Sequence, residues 1–239
     1  MKKLILLITI LYSTVTISQN ITGKELLDKA IAYHDPNNNW ATFNGDLHIT
    51  MKTPNSANRD SNITINLPEE YFYIKAKSDT ITTEYTVTKD NCKMALNGST
   101  DISEADIKLH RLSCDRANLY KNYYTYLYGL PMKLKDPGTN IHETVERKTF
   151  KGKDYLVLKA TYDESVGSDI WYFYFNSETY AMEIYQFFKT DDSEKLKPDS
   201  GEYILLTEET TINNIKIPKN RAWYYNKDDK YLGTDFLKQ

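Results

Sequence analysis

The chain has 239 residues and a formal net charge of -3, with an isoelectric point of about 5.9. Neither value fits a nucleic-acid binder, which carries a basic stripe and a high isoelectric point, and 40% hydrophobic with 26% charged residues excludes a disordered chain. Tyrosine is over-used, with 20 copies; its apolar ring and polar tip suit half-buried strands and wet-edged pockets.

Lys2 and Lys3 stand before an apolar run, 4–11, that is too short to span a bilayer. Thr16-Ile17-Ser18 then offers small or near-small side chains at the two positions a signal peptidase reads. Residues 1–18 are expected to be a signal peptide cleaved after Ser18, leaving 19–239 as one domain. No cysteine follows the apolar run, so no acyl anchor is expected, and no later run is long and apolar enough to cross a membrane. The expected location is a periplasm or the cell exterior.

Residues 24–34 read as an amphipathic helix, with Leu26, Leu27, Ala30, Ile31 and Tyr33 near helical spacing. Thr22 and Glu25 have the spacing of a capping box, and Asp35-Pro36 with the asparagines at 37–39 ends the helix. Five strands are predicted next, at 43–52, 62–67, 71–77, 80–88 and 91–96. Residues 103–128 contain no proline or glycine and read as one or two helices, with a break near Cys114-Asp115. Ile107, Leu109, Leu112, Leu119, Tyr123, Tyr126 and Leu127 supply their apolar face, and Gly129-Leu130-Pro131 stops them. Six more strands are predicted at 141–150, 154–162, 168–176, 180–189, 202–212 and 215–225, with Lys151-Gly152-Lys153 and Asn213-Asn214 as short hairpin turns. So many antiparallel strands in one small domain must curl or split into two packed sheets. The expected fold is mainly β (α+β): a curled antiparallel half-barrel of about eleven strands with an N-terminal helix and a central helical lid.

The strongest local signal lies at 168–188, where two strand-like runs flank Asn176-Ser-Glu-Thr179. Successive strand side chains point to opposite faces, so Trp171, Phe173 and Phe175 share one face and Ile170, Tyr172 and Tyr174 the other. A strand with one wet face alternates apolar with polar. This one does not, so either both faces are covered or one lines an apolar cavity. The candidate ligand contacts are Trp171, Phe173 and Phe175, with Tyr180, Met182, Ile184 and Phe188, read as lying opposite Glu183. Leu156 and Leu158, which share a face with Ala160, and Tyr123, Tyr124, Leu127 and Tyr128 on the lid complete the set. Full burial of each large side chain is worth about 1.5–3 kcal/mol, and an acyl chain gains about 0.8 kcal/mol per buried CH₂. An ordinary closed core would use the same residue types.

Other constellations are thinner. Cys92 and Cys114 fit an oxidising compartment as a disulfide, or stand as two buried thiols; spacing leaves both open, and they lack the close pairs of a zinc site. Asp35-Pro-Asn37-Asn-Asn39 has oxygen ligands at alternate positions like a calcium loop, but Trp40 stands where the loop needs glycine. The same stretch reads as a polar turn after a helix, with His34 and Asp35 capping it or binding a polar group. His34, His48, His110 and His142 show no metal spacing, and no Gly-x-Ser-x-Gly elbow occurs. Asp163, Glu164 and Asp169 could supply paired carboxylates for glycoside hydrolysis, or be solvated turn residues. No cofactor or metal is expected.

The order of one N-terminal helix, strands, a central helical pair and more strands, behind a signal peptide, resembles the LolA/LolB-like superfamily of periplasmic lipoprotein carriers. Tyr33-His-Asp-Pro36 with Trp40, Tyr126-Leu-Tyr-Gly-Leu-Pro-Met-Lys133 and Ser168-Asp-Ile-Trp-Tyr-Phe173 also resemble a family of secreted proteins from flavobacteria and their relatives. The resemblance implies an open half-barrel whose apolar hollow holds acyl chains; no site residue is carried over from LolA. The expected function is a non-enzymatic exported carrier or binding protein for a lipid, a lipoprotein acyl chain or another hydrophobic ligand. The alternatives are an envelope protein–protein module with a packed barrel, and a secreted hydrolase.

Overall fold

The structure is a computed structural model that describes residues 21–89 and 91–238. The expected signal segment and its cleavage point lie outside the described residues. The first helix, α1 (Gly23–His34), opens on a complete capping box: the Glu25 amide donates to Thr22 Oγ1 at 3.2 Å, and the Thr22 amide to Glu25 Oε2 at 2.9 Å. Its inward stripe is Leu26, Leu27, Ala30 and His34. A 3-10 turn, Asn39–Thr42, leads into β1 (Asn44–Thr53), β2 (Ser56–Asn66), β3 (Tyr71–Ser78), β4 (Ile81–Val87) and β5 (Cys92–Leu96). Two helices follow, α2 (Glu104–His110) and α3 (Cys114–Tyr128), with the break at residues 111–113 rather than at Cys114-Asp115. Ser113 caps α3 by accepting from the Arg116 amide at 3.1 Å.

The second half is β6 (Thr139–Phe150), β7 (Lys153–Tyr162), β8 (Ile170–Asn176), β9 (Met182–Phe188), β10 (Glu202–Ile212), β11 (Ile215–Tyr225) and β12 (Tyr231–Lys238). Lys151-Gly152 and Asn213-Asn214 all take positive φ, as two-residue primed turns require. The strands form one antiparallel sheet of twelve, in the order β5-β4-β3-β2-β1-β12-β11-β10-β9-β8-β7-β6. The expectation of about eleven strands misses β12, the strand that closes the gap between β1 and β11. Its sequence, Tyr-Leu-Gly-Thr-Asp-Phe-Leu-Lys, sets Gly233 and Asp235 on the inward parity, and both are poor strand formers.

Laid flat, strands about 4.8 Å apart would make this sheet roughly 53 Å wide, whereas a helix with its side chains is about 10–12 Å across. Yet α3 is bonded to edge strand β5 through the Cys92–Cys114 disulfide and packs on β7 through Tyr126 and Tyr162. In between it touches β2, β8, β11 and β12. One helix reaches so many strands only because the sheet curls around it. The half-barrel stays open, with β5 and β6 as its edges.

The main core fills the concave side, where α1 and α3 meet Phe72, Ile74, Leu158, Phe173, Phe175 and Tyr185. A smaller cluster on the opposite face holds Tyr155, Val157, Tyr174 and Ile184, flanked by Phe150, Tyr172 and Leu205. The doubly apolar β8 is thus covered twice: by the helices on one side, and by the end of β6 on the other, where Phe150 packs on Tyr174 at 5.5 Å. One reading is corrected here. Met182 pairs with Phe175 but Ile184 pairs with Tyr174, because a bulge at Glu183 inserts one residue into β9. Met182 therefore enters the main core, while Ile184 and Phe188 face the outer cluster with Tyr174 and Tyr172.

Candidate functional site

The floor of the concavity carries a row of directly paired residues. Arg59 on β2 pairs with Met51 on β1, Met51 with Asp235 on β12, Asp235 with Arg221 on β11, and Arg221 with Leu206 on β10. Paired residues share a face, so two arginines and one carboxyl sit on an otherwise apolar inward surface. Arg221 and Asp235 are only 1% and 2% exposed, and charges so buried normally need partners. Their partners come from α3. Its tyrosines recur at helical spacing, with Tyr120 stacked on Tyr124 and Tyr124 packed on Tyr128. Arg59 Nη2 donates to the Tyr124 hydroxyl at 3.1 Å, the Arg221 guanidinium lies 3.6 Å from the Tyr128 ring centre, and the Tyr123 hydroxyl stands 3.5 Å from Asp235 Oδ2.

Burial sets the chemistry of this roof. It raises the Tyr124 phenol to about 12 and pushes the Tyr123, Tyr126, Tyr128 and Tyr185 phenols further up. These five phenols are neutral hydroxyls at any ordinary pH. Burial also raises the Asp235 carboxyl, against the pull of Arg59 and Arg221. The Tyr128 and Tyr185 hydroxyls, Nε of both arginines and Asp235 Oδ1 make no hydrogen bond. Nothing here resembles an activated nucleophile with a base and an orienting third group.

Two clefts flank α3. The larger, about 620 Å³, is lined by Tyr126, Tyr162, Trp171, Lys133, Asp136 and Asp169, among others. The smaller, about 270 Å³, is mainly apolar and lies over Met51, Tyr123, Trp223, Leu232 and Asp235. The sequence-derived contacts are distributed around these features. Phe173, Phe175, Met182, Leu156, Leu158, Tyr124, Leu127 and Tyr128 are buried in the main core. Trp171, Tyr123 and Tyr180 are half-buried at its margin, Trp171 at the larger cleft and Tyr123 at the smaller. Ile184 and Phe188 lie on the other face of the sheet and touch neither cleft.

Arg59, Arg221, Asp235 and Trp223 are the site residues that sequence reading misses. Arg59 does carry a signal, being a charged residue on the same parity as Ser61, Ile63 and Ile65 in β2. Asp235 carries none, since its strand goes unrecognised.

The remaining motifs resolve into packing. Both Asp35 oxygens accept backbone amides, from Asn39 at 2.7 Å and Trp40 at 2.8 Å, so this carboxylate caps the turn after α1 rather than opening a calcium loop. The His34 ring joins β11 to β9: Nδ1 donates to the Lys216 carbonyl at 2.8 Å and Nε2 accepts from the Met182 amide at 2.9 Å. Trp40 lies against Gly129, where an added Cβ would come within 2.3 Å of the indole. The acidic trio does not converge. Asp169 lines the larger cleft, with its carboxyl raised by burial, whereas Asp163 and Glu164 are exposed and Asp163 accepts from Asn140 at 2.8 Å. Among the described residues, no group of three or more histidines, cysteines or carboxylates is placed to hold a metal ion, and no helix is long and apolar enough to cross a membrane.

The chain belongs to a family of unknown function, DUF6503, whose model matches residues 1–238. No curated protein matches it. Among solved structures it is similar to a LolA superfamily protein from Nitrosomonas europaea, at 11% identity and a TM-score of 0.53, with 92% of each chain covered. A DUF1329 family protein from Desulfovibrio piger matches at 7% identity and a TM-score of 0.48, again over 92% of each chain. The first likeness is one of fold: this chain folds like that LolA superfamily protein.

Proposed function

We propose that this DUF6503 protein is an exported, non-enzymatic carrier that holds a lipid, a lipoprotein acyl chain or another hydrophobic molecule on the concave face of its half-barrel. The observation that supports this most is the make-up of the roof. The curled apolar floor is covered along α3 by tyrosine rings held through a few polar contacts, and apolar space already opens beside Tyr123 and Trp223. Displacing rings from such a floor exposes apolar surface, and each methylene of a chain buried there gains about 0.8 kcal/mol. The LolA-like fold, the signal-like N-terminus and the local resemblance to secreted flavobacterial proteins agree with this reading.

Native mass spectrometry of protein purified from its own cell envelope tests it. The expected result is adduct mass in the lipid range, displaced by a fluorescent long-chain alcohol. A clean apo mass together with no uptake of the probe overturns it.

One observation favours a second reading, an envelope interaction module. Leu109 on α2 and Leu119 on α3 are 72% and 67% exposed on the outside of the helical layer. A crosslinked envelope partner that is lost in Leu119→Glu, from a protein that takes up no lipid, would favour that reading. The hydrolase alternative is tested with Asp169→Asn: wild-type behaviour in an activity screen removes Asp169 from contention.

A further inference from the structure

The smaller cleft has a chemical bias that the carrier reading does not require. Asp235 forms part of its floor, 2% exposed, with Oδ1 bonded to nothing and Oδ2 only 3.5 Å from the Tyr123 hydroxyl. The basic groups nearest in the sheet hydrogen-bond elsewhere, although both still pull on its charge. Arg221 sends Nη1 to the Pro218 carbonyl at 2.9 Å and lays its guanidinium on Tyr128, while Arg59 reaches Tyr124. Asp235 makes no ion pair with either. Glu202, half-buried, is the second carboxyl in the wall, and no lysine or arginine lines it. Met51, Leu232, Gly233 and the Tyr123 ring make the rest mainly apolar, with the Thr53 hydroxyl and the Trp223 indole, which acts on Asp235, as its other polar groups.

A buried carboxyl with a free oxygen is costly until a donor reaches it. A hydroxyl satisfies it in either protonation state, and an ammonium satisfies it as a charge pair. A free carboxylate would instead bring a third acid into a wall that already holds two.

We propose that this cleft receives the donor-bearing end of the ligand, a hydroxyl or ammonium group on an apolar body, and discriminates against free fatty acids. The proposal rests on the carrier reading and specifies its ligand class.

The test titrates the full mature chain at pH 7.5 with dodecylamine, 1-dodecanol and dodecanoic acid, following the fluorescence of Trp223 and the other tryptophans. The amine or the alcohol should bind at least about tenfold tighter than the acid, the worth of one hydrogen bond to a charged group. Asp235→Leu should bring the three to within about threefold of one another. If that variant does not fold, Asp235→Asn keeps the shape and removes the charge, and should weaken the amine at least about fivefold relative to the acid. Equal binding of the three by wild type, a preference for the acid, or a preference that survives in the variants overturns this proposal and leaves the carrier reading standing. Uptake of none of the three overturns both.

Discussion

His34 ends α1 with a fully buried ring whose two nitrogens each serve a backbone group of a different strand. That arrangement needs the neutral Nδ1–H tautomer, and burial lowers the ring's pKa from 6.5 accordingly. The unfolded chain then binds the extra proton first, so this group's stabilisation is complete above about pH 6.5 and drains away as the pH falls below it. His34→Ala should cost about 2–4 kcal/mol at pH 7.5, because the Met182 amide and the Lys216 carbonyl both lose a partner, and should flatten the fall in stability between pH 6.5 and pH 5. Urea midpoints at the two pH values for both proteins check this; an equally steep fall in the variant would clear His34. At the same scale, Gly129 has no room for a methyl group beneath Trp40. Gly129→Ala should cost about 1–3 kcal/mol by overpacking. In Gly129→Ala with Trp40→Ala the two costs should sum to less than expected, since removing the indole relieves the clash; additive denaturation midpoints would refute the contact.

The central helices are anchored at both ends, to the sheet at one and to the 3-10 turn at the other. The Cys92–Cys114 disulfide bonds the first turn of α3 to edge strand β5 across a sequence separation of 22. Gly129 wedges the other end against Trp40. Chain-entropy arguments give a loop of that length about 3 kcal/mol of stabilisation. Cys92→Ser with Cys114→Ser should therefore lower stability by about that amount. Hydrogen exchange should rise first in α2, α3 and β5, because β5 is an edge strand with only β4 as a sheet partner. Uniform acceleration across all twelve strands would instead place the bond's effect in the unfolded chain alone. The bulge at Glu183 is the other decisive local feature. It turns Met182 inward and Ile184 outward within one short strand, and so supplies both clusters from the same hairpin.

At the scale of the whole molecule, the last strand joins the two halves. β12 lies between β1 and β11, so among the described strands the ladder that joins β1 to β5 with β6 to β11 runs through residues 231–238. A chain ending at Asp228 would lack that strand and expose an edge on each half. It should fail to fold rather than fold with a trimmed terminus. Circular dichroism and size exclusion check this, and a cooperative monomeric transition in the truncated protein would contradict it. The same closure is what carries Asp235 and Arg221 into the concavity opposite Arg59.

Composition and periodicity alone determined the class of this protein: mainly β, with an amphipathic first helix, a helical insert and a hairpin apolar on both faces. Those properties are written in spacings of a few residues, which is the range over which strand and helix periods act. The capping box at Thr22 and the primed turns at Lys151 and Asn213 were legible for the same reason. The tertiary structure alone decided what lies opposite what. Asp235 sits on a strand whose glycine and aspartate hide it from any local reading, and it meets Arg59 only because strands distant in sequence become neighbours in the sheet. The bulge at Glu183 likewise depends on pairing with β8, and a single inserted residue there overturns a face assignment that strict alternation would make. Long-range register is a property of the assembled sheet, and no window of the chain contains it.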